Sequence, residues 1–205
     1  MQTLVLIFGT FNPITNAHIQ MGIVAKRHLP DALIIYIPSK NYFLKSWKGM
    51  KNTAIMDGDN RAALMRQALA PYGFLVDDLE ITTPISGKTY DTTAVMKEKY
   101  QTDDIYILMG TDKVAELERW YRGEELIAQN RFLIICRDGQ ALDTSVTATI
   151  AKYSGNFTPL DNSDYSSVSS TAVRRAYVEG RLEDVRDHIP DNVYTYLDTH
   201  KEVYS

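Results

Sequence analysis

The sequence of 205 residues has a single cysteine, Cys136, so no disulfide can form within the chain. Cys136 follows the apolar residues 132–135, and we interpret it as a buried strand residue rather than a nucleophile. Long apolar runs are lacking as well. The first one, residues 4–8, is too short for a signal peptide or a bilayer span, so we expect a cytoplasmic protein without a membrane partner.

An excess of positive charge is also missing. Lysine and arginine number 22 against 26 aspartates and glutamates, and the formal net charge is -4. Such a chain has no general attraction to nucleic acid, so we expect no nucleic-acid partner and only local basic surfaces. Hydrophobic residues make up 44%, enough for a sizeable core. We therefore predict one domain over residues 1–205, whose part from 165 to 205 is helical.

Short apolar runs alternate with segments that favour helices. Runs of strand length cover residues 4–8, 32–37, 105–109 and 132–136, and helical patterns separate them. This alternation predicts the α/β class, with a Rossmann-like, mainly parallel sheet flanked by helices and a small helical region at the C-terminus. Ligands of such sheets bind beyond the carboxyl ends of the strands, so we looked for functional residues there.

The first candidate site is residues 9–18, GTFNPITNAH, directly after the first strand. Gly9 lies at the turn, Thr15 or Asn16 can cap the following helix, and His18 falls in its first turn. Free N–H groups and the helix dipole favour a phosphate at such a turn, and a histidine adds a hydrogen bond. A glycine turn before a capped helix occurs in many α/β proteins, so an incidental histidine remains an alternative.

A second candidate follows the serine-rich residues 163–171, which composition alone would assign to a linker or surface loop. The next residues favour a helix that ends at Gly180, with Ser169 or Ser170 as its cap. Arg174 lies one turn beyond Ser170 on the same face. Hydroxyls, free N–H groups and a guanidinium together predict a second anion site, suited to a polyphosphate.

These two segments resemble the paired signatures of a known superfamily. Residues 9–18 are similar to the G-x-F-x-P-x-[H/T]-x-x-H motif of nucleotidyltransferases, and residues 168–174, VSSTAVR, to their I-S-S-T-x-x-R motif. The order and separation of the motifs resemble those of the nicotinamide or nicotinate mononucleotide adenylyltransferases. The segments Gly110-Thr111-Asp112 and Thr89-Tyr90-Asp91-Thr92 resemble further blocks of that family. The resemblance implies the nucleotidyltransferase fold and the transfer of an adenylyl group from ATP to a pyridine mononucleotide, with release of pyrophosphate, in NAD biosynthesis.

The resemblance also implies roles for individual residues. His18 would stabilise the α-phosphate. Thr15 stands where many relatives have another histidine, and one branch of the same family also has threonine there. Arg174 and the hydroxyl residues of its helix would hold the β- and γ-phosphates. The residues implied in ATP binding are Gly9, Thr10, Phe11, His18, Gly110, Asp112, Ser169, Ser170, Thr171 and Arg174. Gly110 and Asp112 would bind the ribose of ATP.

A phosphate-contacting lysine is implied in the loop of residues 39–58. Lys45 aligns best and Lys48 is the rival, while a solvated loop without a binding role is the alternative. We assign Lys45 a catalytic role together with His18, Thr15 and Arg174. Magnesium is expected through the phosphates of ATP rather than through a carboxylate cage of the protein, because this ion keeps several waters and relies on substrate oxygens.

The acceptor is less well specified. The residues implied in mononucleotide binding are Thr10, Phe11, Lys45, Thr89 and Trp120. Trp120 would stack on the pyridine ring, with a core tryptophan as the alternative. Lys88 departs from the aromatic residue common in bacterial relatives, and its charge could attract a carboxylate. Nicotinate and nicotinamide mononucleotides both stay open, with a lean to nicotinate. A nucleotidyltransferase for another phosphorylated acceptor and a catalytically silent nucleotide-binding protein are the alternative functions. The sequence leaves open whether the protein forms a homo-oligomer.

Overall fold

The computed structural model describes residues 2–41, 55–135, 144–160 and 168–204. Along the chain, the protein divides into two compact units. Unit 1 takes in Met1–Phe8, Met21–Ile35 and Ile85–Tyr165, and unit 2 takes in Gly9–Gln20, Tyr36–Pro84 and Ser166–Ser205. Both candidate phosphate segments therefore belong to unit 2. The prediction of one domain over residues 1–205 stays a prediction.

In the part of the chain that the structure describes, six strands form one parallel sheet with the order β3-β2-β1-β4-β5-β6. The strands are β1 (Leu4–Gly9), β2 (Leu33–Pro38), β3 (Leu75–Val76), β4 (Ile105–Gly110), β5 (Arg131–Ile135) and β6 (Phe157–Leu160). The α-helices are α1 (Asn16–His28), α2 (Gly58–Leu69), α3 (Leu79–Thr82), α4 (Thr89–Tyr100), α5 (Thr111–Val114), α6 (Gly123–Gln129), α7 (Thr144–Lys152), α8 (Ser170–Val178) and α9 (Asp191–Thr199). The predicted fold class, a parallel sheet flanked by helices with a helical C-terminal region, is confirmed.

In unit 1, β1 pairs with β4 in the register Leu4 to Ile105 through Ile7 to Leu108, and β4 pairs with β5. The order of the strands along the chain reverses between β1 and β4, which is the switch point at which such sheets bind ligands. Most residues of these strands are buried, because helices cover a parallel sheet on both faces. This burial explains why the strands read as continuous apolar runs.

In unit 2, the C-terminal region contains the helices α8 and α9. Val193 and Leu197 of α9 are fully buried, and Val173 of α8 is buried too. Asn192 fastens α9 to α2, since its Nδ2 donates to the carbonyl oxygen of Leu64 at 3.0 Å. The helical C-terminal region is thus packed against α2, the helix that follows β2.

The sequence reading missed α7 and the edge strand β6. Pro159 lies within β6, and proline argues against a strand because it cannot donate to a sheet ladder. An edge strand tolerates it, and β6 ends the strand order. Phe157 anchors β6 through its ring, whose centroid lies 5.0 Å from that of Phe132. None of the helices in the described ranges combines the length and the apolar character needed to cross a bilayer.

Candidate phosphate-binding site

The turn after β1 depends on contact between Gly9 and Phe11. A Cβ atom at Gly9 would lie 2.7 Å from the Phe11 ring, so a larger residue there would displace the ring. Phe11 is 1% exposed, and its φ of 46° lies in the left-handed region. Its ring packs edge-on against His18, with centroids 5.2 Å apart, and against Tyr36 at 5.6 Å. Glycine and phenylalanine at these two positions therefore support the imidazole of His18.

Thr15 caps α1 and orients His18. The backbone N–H of Thr15 donates to His18 Nδ1 at 3.1 Å, and the Thr15 hydroxyl lies 2.8 Å from the same nitrogen. This contact corresponds to one half of a capping box, in which a side chain of the first helical turn accepts from the N–H of the cap residue, with histidine in place of the usual glutamate or glutamine. A backbone N–H can only donate, so Nδ1 is the acceptor and the neutral ring carries its proton on Nε2. Thr15 is fully buried whereas His18 is partly exposed. The hydroxyl of Thr15 thus acts on the imidazole.

The first turn of α8 is bonded to the loop of residues 9–18. Ser170 Oγ donates to the carbonyl oxygen of Pro13 at 2.8 Å, and Arg174 Nη1 donates to that of Asn12 at 2.8 Å. Ser169 is the cap of α8 and accepts from the N–H of Ala172. The two sequence segments that predicted anion sites, 157 residues apart between Pro13 and Ser170, are therefore neighbours in unit 2.

Arg174 keeps its charge in a partly buried position. Burial lowers the pKa of the Arg174 guanidinium, and the nearby Tyr204 opposes this shift. The ordinary pKa of arginine is so high that the group stays cationic at neutral pH. Its second arm, Nη2, donates to the Thr171 hydroxyl at 3.1 Å. Both of these contacts go to uncharged oxygens, which leaves the positive charge available to an anionic ligand.

Arg61 is a part of this region that the sequence reading missed. It is 1% exposed and donates hydrogen bonds to four oxygens, among them the carbonyl of Thr10 at 2.6 Å. A signal was present in the sequence. Arg61 lies four residues before Met65 and seven before Ala68, all on the apolar face of α2, where a charged residue needs partners.

The other predicted ligand residues belong to unit 1. Gly110 ends β4 and caps α5, and Asp112 is exposed in that helix, where Lys113 Nζ lies 3.6 Å from its carboxylate. Thr89 is the first residue of α4. Trp120 follows a 3-10 turn and is partly exposed, so it is not a tryptophan in the interior of a helix.

Two cations and two aromatic rings form a surface cluster in unit 1. The Nζ of Lys88 lies 3.9 Å from the ring centroid of Tyr121, and the Arg122 guanidinium carbon lies 4.2 Å from that of Tyr90. The two rings meet edge-on with centroids 6.3 Å apart. Arg122 also pairs with Glu125, which raises the pKa of the guanidinium. We call Lys88, Tyr90, Tyr121 and Arg122 the cation–aromatic cluster.

Some predictions fall elsewhere. Lys45, Lys48 and Cys136 lie outside the described residues. Within the described ranges, no group of three histidine, cysteine, aspartate or glutamate side chains could hold a metal ion. The assembled groups are instead hydrogen-bond donors and cations, and this donor set fits phosphate oxygens rather than a bare metal ion.

The parallel sheet and the hydrogen bonds between residues 9–18 and α8 fit the nucleotidyltransferase class that the two motifs predict. The model of the cytidylyltransferase-like family matches residues 6–176, and the chain belongs to this family. The superfamily predicted from the two motifs is thereby confirmed.

Relatives with more specific names are similar over nearly the whole chain. The protein named probable nicotinate-nucleotide adenylyltransferase of Legionella pneumophila (strain Corby) is 23% identical, and the match covers 96% of this chain and 97% of the relative. The nicotinic acid mononucleotide adenylyltransferase of Plasmodium falciparum has been solved complexed with APC and with NaAD. Both structures match with a TM-score of 0.75 and 19% identity, over 99% of this chain and 98% of theirs. These names agree with the narrower resemblance found in the sequence.

Proposed function

We propose that the protein transfers the adenylyl group of ATP to nicotinate or nicotinamide mononucleotide and releases pyrophosphate, as a step of NAD biosynthesis. The observation that carries the proposal is the pair of hydrogen bonds from Ser170 and Arg174 to the carbonyls of Pro13 and Asn12. These bonds bring together the two segments predicted to bind anions, which supports the binding of one polyphosphate by both. The names of the relatives support ATP and a pyridine mononucleotide as the substrates.

His18 is assigned to the reacting phosphate. In this proposal an oxygen of the mononucleotide's 5′-phosphate attacks the α-phosphorus of ATP and forms the new P–O bond. The bond between the α-phosphorus and the bridging oxygen breaks, and pyrophosphate leaves with the electron pair. His18 Nε2–H donates to an α-phosphate oxygen as charge develops, and Thr15 holds the imidazole in that tautomer. Catalysis is then positioning and charge stabilisation, without a covalent enzyme intermediate.

The first turn of α8 is assigned to the leaving group. Arg174 neutralises the β- and γ-phosphates, and the N–H groups of the turn capped by Ser169 add hydrogen bonds. The hydroxyl of Thr171 already accepts from Arg174, so it orients the guanidinium and can donate its own proton to a phosphate. Magnesium bound to the phosphate oxygens would neutralise part of their charge. Lys45 or Lys48 remains the predicted lysine contact.

Unit 1 is assigned to the sugar and the pyridine ring. Asp112 and Gly110 would bind the ribose of ATP, and Trp120, which is partly exposed, would stack on the pyridine ring with Thr89 beside it. The cation–aromatic cluster favours nicotinate, since the positive charge of Lys88 lies over the ring of Tyr121, whereas the charge of Arg122 is paired with Glu125. We propose that residues 1–205 form a single nucleotidyltransferase domain, in the cytoplasm, without a nucleic-acid partner. The oligomeric state stays open.

A parallel assay tests the proposal. Purified protein with magnesium is given ATP or CTP and one acceptor at a time: nicotinate mononucleotide, nicotinamide mononucleotide, phosphopantetheine or phosphocholine. We expect dinucleotide product with ATP and a pyridine mononucleotide, with nicotinate preferred. Product only with CTP or with another acceptor would favour a different nucleotidyltransferase. If no product forms with any of these nucleotides and acceptors, the result would favour a catalytically silent nucleotide-binding protein.

A further inference from the structure

We propose that Arg61 is a positioning residue that holds the peptide between Thr10 and Phe11 so that the Phe11 N–H points towards the phosphates of the bound nucleotide. The proposal rests on the proposed function and adds to it a residue that neither of the two sequence motifs contains. It concerns only residues of unit 2, in which Arg61 is the largest of the fully buried side chains.

The hydrogen bonds of Arg61 link three segments of unit 2. Nη1 donates to the carbonyl oxygen of Thr10 at 2.6 Å, and Nη2 donates to that of Ser39 at 2.7 Å. Nη2 also donates to Asn41 Oδ1 at 2.7 Å, and Nε donates to the carbonyl oxygen of Met56 at 3.2 Å. The planar fork of one guanidinium thus joins the loop after β1, the residues after β2 and the residues before α2.

The peptide bond between Thr10 and Phe11 sets the direction of the Phe11 N–H. In a trans peptide the C=O of one residue and the N–H of the next point in opposite directions. Arg61 holds the Thr10 carbonyl towards the protein interior, so the N–H of Phe11 points the other way. Ser39 acts on the preceding peptide, because its N–H donates to the carbonyl oxygen of Gly9 at 2.9 Å. Two successive peptides of the loop are therefore held from their interior side.

Burying the charge of Arg61 costs free energy. Its acceptors are uncharged, and burial lowers its pKa to about 10, although Asp57, which caps α2, and Tyr204 from the C-terminal region both raise it. The other arginine bonded to the loop, Arg174, likewise donates to a backbone carbonyl. In contrast, exposed Arg66, on the same helix as Arg61, pairs with Asp78 at 2.6 Å. Burying a cation among neutral acceptors costs free energy. The effect of this arrangement is to orient the loop.

The test is the variant Arg61→Lys, measured by kcat, by KM for ATP and by calorimetric affinity for ATP with magnesium. Lysine keeps the charge but cannot span four acceptors in one plane. We expect a folded protein whose kcat falls on the order of 10²-fold, since a misplaced site loses that much, with ATP binding weakened as well. Two controls are matched to it. Arg66→Lys changes an exposed arginine of the same helix, and Asn192→Ala removes a bond to that helix without contact to the loop. Both should retain the wild-type kcat, whatever they do to the melting temperature.

The pH profile separates positioning from a loss of stability. The reference pKa of lysine is about 10.4, below that of arginine, and the same burial lowers it further towards neutrality. Activity of Arg61→Lys should therefore fall between about pH 7 and about pH 9, where wild-type Arg61 stays charged. A folded Arg61→Lys with kcat within about threefold of wild type, or a loss matched by Asn192→Ala at equal melting temperature, would overturn the proposal.

Asn41→Ala carries the test if Arg61→Lys does not fold. It removes one acceptor and leaves the three backbone bonds of Arg61 in place. We expect kcat to fall about fivefold, the effect of one hydrogen bond, and an unchanged kcat would contradict the proposal. Wild-type protein in the same assay distinguishes the two levels of the argument. No adenylyl transfer by the wild type contradicts the proposed function, whereas equal transfer by the wild type and Arg61→Lys contradicts only the role of Arg61.

Discussion

The loop region of unit 2 and the cation–aromatic cluster of unit 1 both place positive charge near aromatic rings, but they do so in opposite ways. In unit 2, Arg61 is buried and Arg174 partly buried, and both are bonded to backbone carbonyls of the loop. In unit 1, Arg122 is exposed and Lys88 partly exposed, and each lies over a tyrosine ring.

The difference concerns preorganisation. Cations bonded to main-chain carbonyls have fixed positions, and their desolvation cost is met during folding, so they can stabilise developing charge without reorganising. Cations stacked on exposed rings are held by about 0.5–1 kcal/mol and can adjust to a ligand. The first arrangement suits the chemical step, and the second suits the choice of acceptor. The predictions below test this division, from the largest expected effect to the smallest.

His18→Ala should abolish turnover while the fold is kept. Removing a preorganised donor to developing charge costs about 10²-fold or more in kcat. The measurement is steady-state dinucleotide formation, with circular dichroism to confirm the fold. His28→Ala, at the exposed end of the same helix, is the control and should behave as wild type. A loss of only a few-fold in His18→Ala would mean that this residue has no direct role in the transfer.

Arg174→Ala should chiefly weaken the binding of ATP and pyrophosphate. The loss of a charge-assisted contact corresponds to about 1.5–3 kcal/mol, or roughly 10- to 150-fold in affinity. Calorimetric titration with ATP and magnesium measures it. Arg175→Ala, the next residue on the same helix and exposed, should keep its affinity. Equal affinities in the two variants would contradict the second anion site.

Thr15→Val should lower kcat about fivefold to tenfold and leave KM for ATP nearly unchanged, as expected for the loss of one hydrogen bond. The hydroxyl that lies 2.8 Å from His18 Nδ1 is lost, whereas the backbone N–H still holds the imidazole. Thr15→Ser should restore the rate because it restores the hydroxyl. If serine and valine give the same rate, the hydroxyl does not orient His18.

Lys88→Met should have the smallest effect, a reduction of a few-fold in the preference for nicotinate over nicotinamide mononucleotide. Methionine keeps an apolar stem over Tyr121 but removes the charge, and such exposed charges contribute only about 1 kcal/mol or less. The ratio of the two kcat/KM values measures it. Lys99→Met, an exposed lysine of α4, is the control. An unchanged ratio in Lys88→Met would exclude Lys88 from acceptor choice.

Much of the fold could be predicted from the sequence because continuous apolar strands and capped helices leave local signals. Ser169 was one of two candidate caps, and the structure assigns it that role. The strand β6 gave a contrary signal because of Pro159. Its pairing with β5 is a long-range interaction that no local pattern encodes.

The candidate site shows the same boundary. Motif spacing pointed to His18 and Arg174. The contact of His18 with Thr15 is local, whereas the hydrogen bond of Arg174 to Asn12 depends on tertiary structure. The resemblance gave Thr15 a catalytic role without a defined contact, and its burial and its contact with His18 Nδ1 favour the orientation of His18 as that role. Arg61 was missed because arginines in helices mostly lie at the surface, and its place on the apolar face of α2 was the one local signal against this.

We propose above all that the loop of residues 9–18 and the helix α8 together serve the transfer of the adenylyl group of ATP to a pyridine mononucleotide. Simultaneous measurement of pyrophosphate and dinucleotide, with and without nicotinate mononucleotide, tests it most directly. We predict that pyrophosphate appears only with the acceptor, in equal amount to the dinucleotide, and that both fall together in His18→Ala. Pyrophosphate release that does not depend on the acceptor, or that persists in His18→Ala, would contradict the claim.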